Sequence, residues 1–355
     1  MAIKAEYSCT FNPADQRPTA LNAHPDYRHI SNWAISLSEQ PDYQGLTYRF
    51  LHLLEELPWI SKAVAYEVYG ERNLKTGEAR CTSEQLVRRF PLDFTEQPQE
   101  EEIDLLNEFN SSADLKPSKP NAAGLFTRIV APVRELGGPD RALLLKGEFD
   151  AAALALLADM IALYRNLVAL HDSKERDPLT KLPNRQSFDA RMLQVCEYFR
   201  MHPIQDRCQE KSSWIAMLDI DNFKRINDTY GHLYGDEVLL VFSQAMEKHF
   251  RYNDFLFRFG GEEFVVILNL VNQADAEATF ERFRAAIERH RFPISGPVTV
   301  SIGLTHIDHL TLPIHLLDRA DKALYQAKAG GRNKLVAYRN LDPAVGRVGT
   351  EPEVF

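Results

Sequence analysis

Cysteine is scarce in this chain, and what there is lacks pattern. Cys9, Cys81, Cys196 and Cys208 show no CxxC spacing, which argues against both a disulfide framework and a zinc knuckle. Such usage suits a reducing cytoplasm. No apolar run reaches the roughly 18 residues of a membrane span, and no basic region followed by an apolar core marks a secretory signal. Internal repeats are lacking. An excess of positive charge is lacking too: a net charge of −9 argues against a general binder of nucleic-acid polymers, whose docking face would be basic. A phosphorylated substrate stays compatible if a divalent cation neutralises the local charge. What is present is 355 residues, 45% apolar and 26% charged, enough for two separately cored domains.

Residues 1–41 are polar, contain proline and show no clear period, and are expected to form an irregular arm. Leu46, Phe50, Leu53, Leu54 and Leu57 recur at helical spacing, and Ala63 to Tyr69 reads as a strand. An acidic, proline-containing stretch from Pro98 to Pro120 reads as a long loop, and Leu125 to Val133 and Ala142 to Gly147 read as further strands. This order suggests a small α/β sensory module over 42–150. From Ala151 to His171 the chain predicts a helix in which Leu156, Met160, Leu163, Leu167 and Leu170 alternate in steps of four and three. That seam can pair two chains in parallel, or the same face can pack on its own domain. A charged break, 171–176, closes this connecting segment. Beyond it, helices and strands alternate around one antiparallel hairpin. The fold class is therefore α/β (α+β), a mixed or antiparallel central sheet flanked by helices. The tail 341–355 reads as disordered.

The chemistry concentrates in Arg258-Phe259-Gly260-Gly261-Glu262-Glu263-Phe264, a hairpin with two glycines at its tip and two carboxylates beside them. Trp214 to Ile220 is an apolar strand bearing Asp219, with Asp221 just beyond. Facing the hairpin, Asp219 would complete a site of hard oxygen ligands suited to Mg²⁺ or Mn²⁺, as phosphoryl or nucleotidyl transfer requires. Alone, Asp219 reads equally as a helix N-cap. In the segment that follows, Lys224 and Arg225 can meet a triphosphate, while Asn227 and Asp236 can read a purine edge. Solvated charge and an ordinary helix cap explain each of these residues singly.

Together, five motifs identify a resemblance covering a little under half the chain. Asp177-Pro178-Leu179-Thr180-Lys181-Leu182-Pro183-Asn184-Arg185, the Asp219–Asp236 segment, the Gly-Gly-Glu-Glu-Phe hairpin, Val300-Ser301-Ile302-Gly303, and Ala320 to Lys328 leading into Gly331-Arg332-Asn333 stand in order. The chain over 177–340 resembles the GGDEF domain of diguanylate cyclases, in its GGEEF variant. The resemblance implies that two GTP condense into cyclic di-GMP and two pyrophosphates across a symmetric homodimer. It implies that Asp219, the carbonyl of Ile220, Glu262 and Glu263 serve the metal, Glu262 also favouring loss of the ribose 3′-OH proton. Lys224 would stabilise charge on the phosphate. Phe223, Asn227, His232 and Asp236 would line the guanine site, and Lys328 and Arg332 would grip the outer phosphates. An acid at 236 would favour guanine over adenine on both sides. Arg251 and Asp254 match the family's RxxD inhibitory site, where cyclic di-GMP feeds back.

The N-terminal half resembles a GAF domain by layout alone, with a PAS-like module as the alternative, and its small-molecule or protein signal is unknown. His52 and Cys81 are weak candidates for cofactor ligands there, since a lone His or Cys is usually a packing residue. Rival readings of the whole chain are a cyclic di-GMP receptor without turnover, using Arg251 and Asp254, and a protein scaffold.

Overall fold

Residues alternate cleanly along the first long strand: Ala63 and Ala65 enter one apolar cluster, Val64 and Tyr66 another. Such a period of two means a sheet with both faces covered. The computed structural model describes residues 27–69, 86–90, 115–133, 140–201 and 211–338, apart from 252, 295 and 309. In the N-terminal half, β1 (Ile60–Tyr69), β2 (Leu86–Phe90), β3 (Lys116–Pro117), β4 (Phe126–Val133) and β5 (Asp140–Phe149) form one antiparallel sheet in the order β2-β1-β5-β4-β3. Helices α1 (Tyr27–Ser38), α2 (Tyr43–Glu55) and α3 (Ala151–Glu175) contribute Trp33, Leu37, Phe50, Leu54, Leu157 and Tyr164 to the core they share with it. Phe50 stacks on Tyr164 at 4.3 Å between ring centroids.

Several expectations need correction. Residues 27–38, expected to be irregular, form α1, because Trp33 and Leu37 at helical spacing reach the core. Strand β3 falls inside the expected loop 98–120, whose residues 98–114 lie outside those described, as do Cys81 and the tail 341–355. By length and composition α3 is apolar enough to cross a membrane. Asp159 and Arg165 interrupt its apolar run, so no unbroken stretch of that length stands in the sequence. Here one face of it, Ala153, Leu157, Ile161, Tyr164 and Val168, is sunk in the N-terminal core. Of the residues read as a dimer seam, Met160 is buried there, Leu156, Leu163 and Leu167 are partly buried against that core, and Leu170 is half exposed. His52 is exposed, and its Nε2 lies 3.2 Å from the Tyr48 hydroxyl.

The C-terminal half is a second sheet in the order β10-β9-β6-β8-β7, made of β6 (Ser212–Ile220), β7 (Phe255–Gly260), β8 (Glu263–Val271), β9 (Val300–His306) and β10 (Leu335–Ala337). Strand β6 is central and antiparallel to both neighbours, while β10 runs parallel to β9. Helices α4 (Arg185–Met201) and α8 (Pro313–Ala329) pack on one face of this sheet. On the other lie α5 (Phe223–Tyr230), α6 (His232–His249) and α7 (Gln273–Arg289). Trp214, Ala216, Leu218 and Ile220 face one cluster and Ile215 and Met217 the other, which explains the uninterrupted apolar run of this strand.

The two halves meet at the end of α3. The Glu175 carboxylate accepts the Tyr43 N–H at 2.6 Å, and its carbonyl accepts the Asn184 N–H and the Ser187 hydroxyl at 2.8 and 2.6 Å. Arg141 binds Asp172 through two hydrogen bonds, and Arg191 of α4 pairs with Glu67 of β1 at 3.3 Å.

Gly303 lets α8 lie directly on β9. A Cβ there would come within 2.2 Å of both the Ala320 carbonyl and the Leu324 nitrogen, backbone atoms that cannot turn aside. Gly303→Ala should therefore destabilise the C-terminal half by about 1–3 kcal/mol or more, read from denaturant unfolding; an unchanged midpoint would show that α8 withdraws freely.

Candidate active site at the end of the central strand

The antiparallel register sets Asp219 of β6 opposite Glu263 of β8 on one side and Ser301 of β9 on the other. Between β7 and β8 the loop is two residues long, Gly261 and Glu262, with Gly261 at φ +34. The glycine that turns the hairpin is thus Gly261, while Gly260 ends β7 and pairs with Glu263. The Ile220 N–H reaches the Glu262 carbonyl at 3.4 Å, which brings that turn to the end of the central strand.

Arg258 holds the turn. Its Nε and Nη2 donate to the Gly261 carbonyl at 3.1 and 2.8 Å, and its Nη1 donates to Asp177 at 2.9 Å. Burial works to raise the Asp177 carboxyl, but the Thr180 N–H and the Arg258 guanidinium bring it below its ordinary value. Asp177 and Arg258 stand in the motifs of the sequence without an expected role. Their signal was the arginine two residues before the glycines.

The carboxylates are electrostatically loaded. Burial, with Glu262 and Glu263 nearby, pushes the Asp219 carboxyl up to about 6, even though Lys328 Nζ sits 2.7 Å from its Oδ2. Burial also raises Glu263, where Lys328 again opposes, and Asp321 and Glu262 add to the rise. Lys328, read in sequence as a phosphate ligand, here faces the carboxylate instead. Among the described residues no group of three or more His, Cys, Asp or Glu side chains is arranged to hold one metal ion. The chemistry still fits a hard cation. Asp219, Glu262 and the Ile220 carbonyl could supply two carboxylates and one neutral oxygen, the sparse protein set that Mg²⁺ accepts while keeping water or phosphate oxygens.

The other predicted residues lie around this point. Phe223 is buried at the start of α5, Lys224 and Arg225 are exposed in its first turn, and Asn227 is half-buried. Gly231, at φ +89, separates α5 from α6, and His232 and Asp236 are exposed in the first turns of α6. Gly235 approaches so closely that a Cβ on it would lie 1.9 Å from Asn227 Oδ1, so the Asn227 side chain depends on that glycine. Arg332 is exposed in a turn after α8 where Gly331, Arg332 and Asn333 all have positive φ. Away from this site, Arg251 is exposed and Asp254 is buried. The Asp254 carboxylate accepts the Arg251 N–H at 2.8 Å and the Asn269 N–H at 3.3 Å, capping the turn into β7.

Residues 174–334 match the family described as diguanylate cyclase, GGDEF domain. Among curated proteins, diguanylate cyclase DgcP of Pseudomonas aeruginosa is 41% identical over 172 residues, 47% of this chain and 25% of that one. Diguanylate cyclase A of Treponema denticola is 32% identical over 201 residues, 55% of this chain and 53% of that one. The chain thus spans between a quarter and about half the length of these relatives. Among solved structures, diguanylate cyclase SiaD in complex with its activator SiaC, from Pseudomonas aeruginosa, is 36% identical, with a TM-score of 0.46. The match covers 52% of this chain and 71% of that one.

The raised Asp219 carboxyl has a stability consequence. A group whose folded pKa exceeds its ordinary value of 3.8 contributes stability that is fully present below that value and is lost as pH rises to about 6. Asp219→Asn should therefore raise the melting temperature of metal-free protein at pH 7 and change it little near pH 4. Equal melting temperatures at pH 7 would show that the carboxylate is well solvated.

Proposed function

We propose, with residues 174–334 taken as a GGDEF domain, that this chain is a diguanylate cyclase that condenses two GTP into cyclic di-GMP. The observation that supports it most directly is the register of three strands. That register sets Asp219, the Gly261–Glu262 loop and Glu263 together at one end of the sheet, with Lys328 against them. Named relatives of this half are diguanylate cyclases.

In this reading Asn227 and Asp236 accept the guanine N–H donors, and Phe223 and His232 bound that site. Lys328 and Arg332 grip the outer phosphates. Glu262 accepts the proton of the ribose 3′-OH, whose oxygen attacks the α-phosphorus of a second GTP as the bond to pyrophosphate breaks. Lys224 offsets the charge that builds on the transferring phosphoryl group, and positioning with electrostatic stabilisation supplies most of the rate. Asp219, the Ile220 carbonyl, Glu262 and Glu263 would hold Mg²⁺ or Mn²⁺, which would neutralise phosphate charge and acidify the hydroxyl. Repeating the attack in the opposite direction closes the ring, so two domains must face each other in a homodimer. The face of α3 that carries half-exposed Leu170 beside the partly buried Leu156, Leu163 and Leu167 would pair them.

The N-terminal sheet and its helices serve as a GAF-like sensor for a small-molecule or protein signal. Arg251 and Asp254 form a product-inhibition site, with the exposed guanidinium as the group that meets phosphate. The cysteine usage suits action in the cytoplasm.

Purified chain given GTP and Mg²⁺ should yield cyclic di-GMP by mass spectrometry, and Glu262→Ala should reduce the rate by a factor of about 100 or more. Product formation at the unmodified rate would remove Glu262 from the mechanism. Binding of cyclic di-GMP with no turnover, even after forced dimerisation, would favour the receptor reading. Arg251→Ala should leave the initial rate near normal and raise the product concentration that halves it; the same inhibition curve in both proteins would place feedback elsewhere.

A further inference from the structure

Asp221 lies two residues beyond Asp219, and none of the roles above uses it. It is buried, 5% exposed, and its partners are neutral. Thr299 Oγ1 donates to its Oδ2 at 2.7 Å, Ser301 Oγ to its Oδ1 at 2.6 Å, and the Asn333 N–H to its Oδ2 at 3.0 Å. The Asp221 N–H in turn donates to the Thr299 carbonyl at 2.9 Å. One side chain thus joins the end of β6, the start of β9 and the turn after α8.

That turn needs holding. Gly331, Arg332 and Asn333 have φ of +106, +65 and +44, and two of them carry a Cβ. Left-handed backbone at consecutive non-glycine residues persists only where the surroundings dictate it. The Arg332 N–H is spent on the Ala327 carbonyl at 3.0 Å, and the Asn333 side chain is held on α7 by Arg284 and Glu288. From the β6 side, Asp221 supplies the acceptor. Arg332 sits between these two anchors, with its own side chain exposed.

We propose that Asp221 is a positioning residue that fixes the Gly331–Asn333 turn against the end of β6, so that Arg332 is presented to the outer phosphates of a nucleoside triphosphate. The ligand assignment rests on the cyclase reading; the hold on the turn does not. The Asp221 side chain accepts from Thr299, Ser301 and Asn333, none of which belongs to α5 or α6, where Asn227 and Asp236 lie, so the effect is expected chiefly at the phosphate end.

The test uses the full chain carrying Asp221→Ala and Asp221→Asn. In Asp221→Ala, amide hydrogen exchange across 331–334 should quicken, GTP affinity should fall about tenfold for the loss of the hydrogen bonds that hold the turn, and GMP affinity should hold. Asp221→Asn keeps an oxygen for the Asn333 N–H and should restore most of the GTP affinity. Should Asp221→Ala not fold, Thr299→Val removes one of the hydroxyls that orient Asp221 and should give the same split more weakly. Unchanged exchange at 331–334, or equal losses for GTP and GMP, would overturn the proposal. If the unmodified chain binds no GTP, the cyclase reading fails, and the exchange result alone decides whether Asp221 holds the turn.

Discussion

Antiparallel pairing of one strand with two neighbours at once is the constraint on which the C-terminal half depends. A side chain at the end of β6 has its cross-strand partners fixed by hydrogen-bond register, so Asp219 must stand between Glu263 and Ser301. A slip of one residue would turn Asp219 to the other face and send Leu218 or Ile220 in its place. The apolar side chains on both faces of β6 forbid that slip, because each has its own cluster to fill. Packing far from the chemistry thus sets the position of the chemistry.

The same arrangement creates an electrostatic debt at the sheet end. Three carboxylates share a partly desolvated corner, and the Lys328 ammonium lies against the most buried of them. A lysine on a flexible stem is a movable counter-charge. In the proposed cyclase reading, a cation held at Asp219 would take over this charge and leave Lys328 free to meet phosphate oxygen. The observed partner of Lys328 is thus compatible with the phosphate role that the resemblance implies for it.

How much was legible in the sequence differs between the halves. The hairpin, the apolar strand and the long amphipathic helices of the C-terminal half stood out because period and glycine placement are local signals. Strand β10 did not, since three residues carry no period, and neither did α5, which is short and closely followed by α6. Positioning contacts were the least legible. Asp221 read as an extra acid beside Asp219, and its three donors come from positions 299, 301 and 333, which only the folded sheet assembles. In the N-terminal half, α1 escaped because its core contacts are two residues in a polar stretch. The α3 seam was ambiguous because a helix packed on its own domain and one paired with a copy share the same spacing.

Helix α3 has a mechanical consequence. Its 25 residues make a rod of about 37 Å at 1.5 Å per residue, and one face of that rod is embedded in the N-terminal core. It cannot rotate or slide alone without tearing that core, so it can only tilt with the domain that holds it. The rod ends in the short stretch after Glu175, which the bridge between Arg176 and Pro183 closes. Asp177 stands inside that stretch and grips Arg258, which grips the carbonyl of Gly261. Two side chains, Asp177 and Arg258, therefore connect the end of that rod to the hairpin loop.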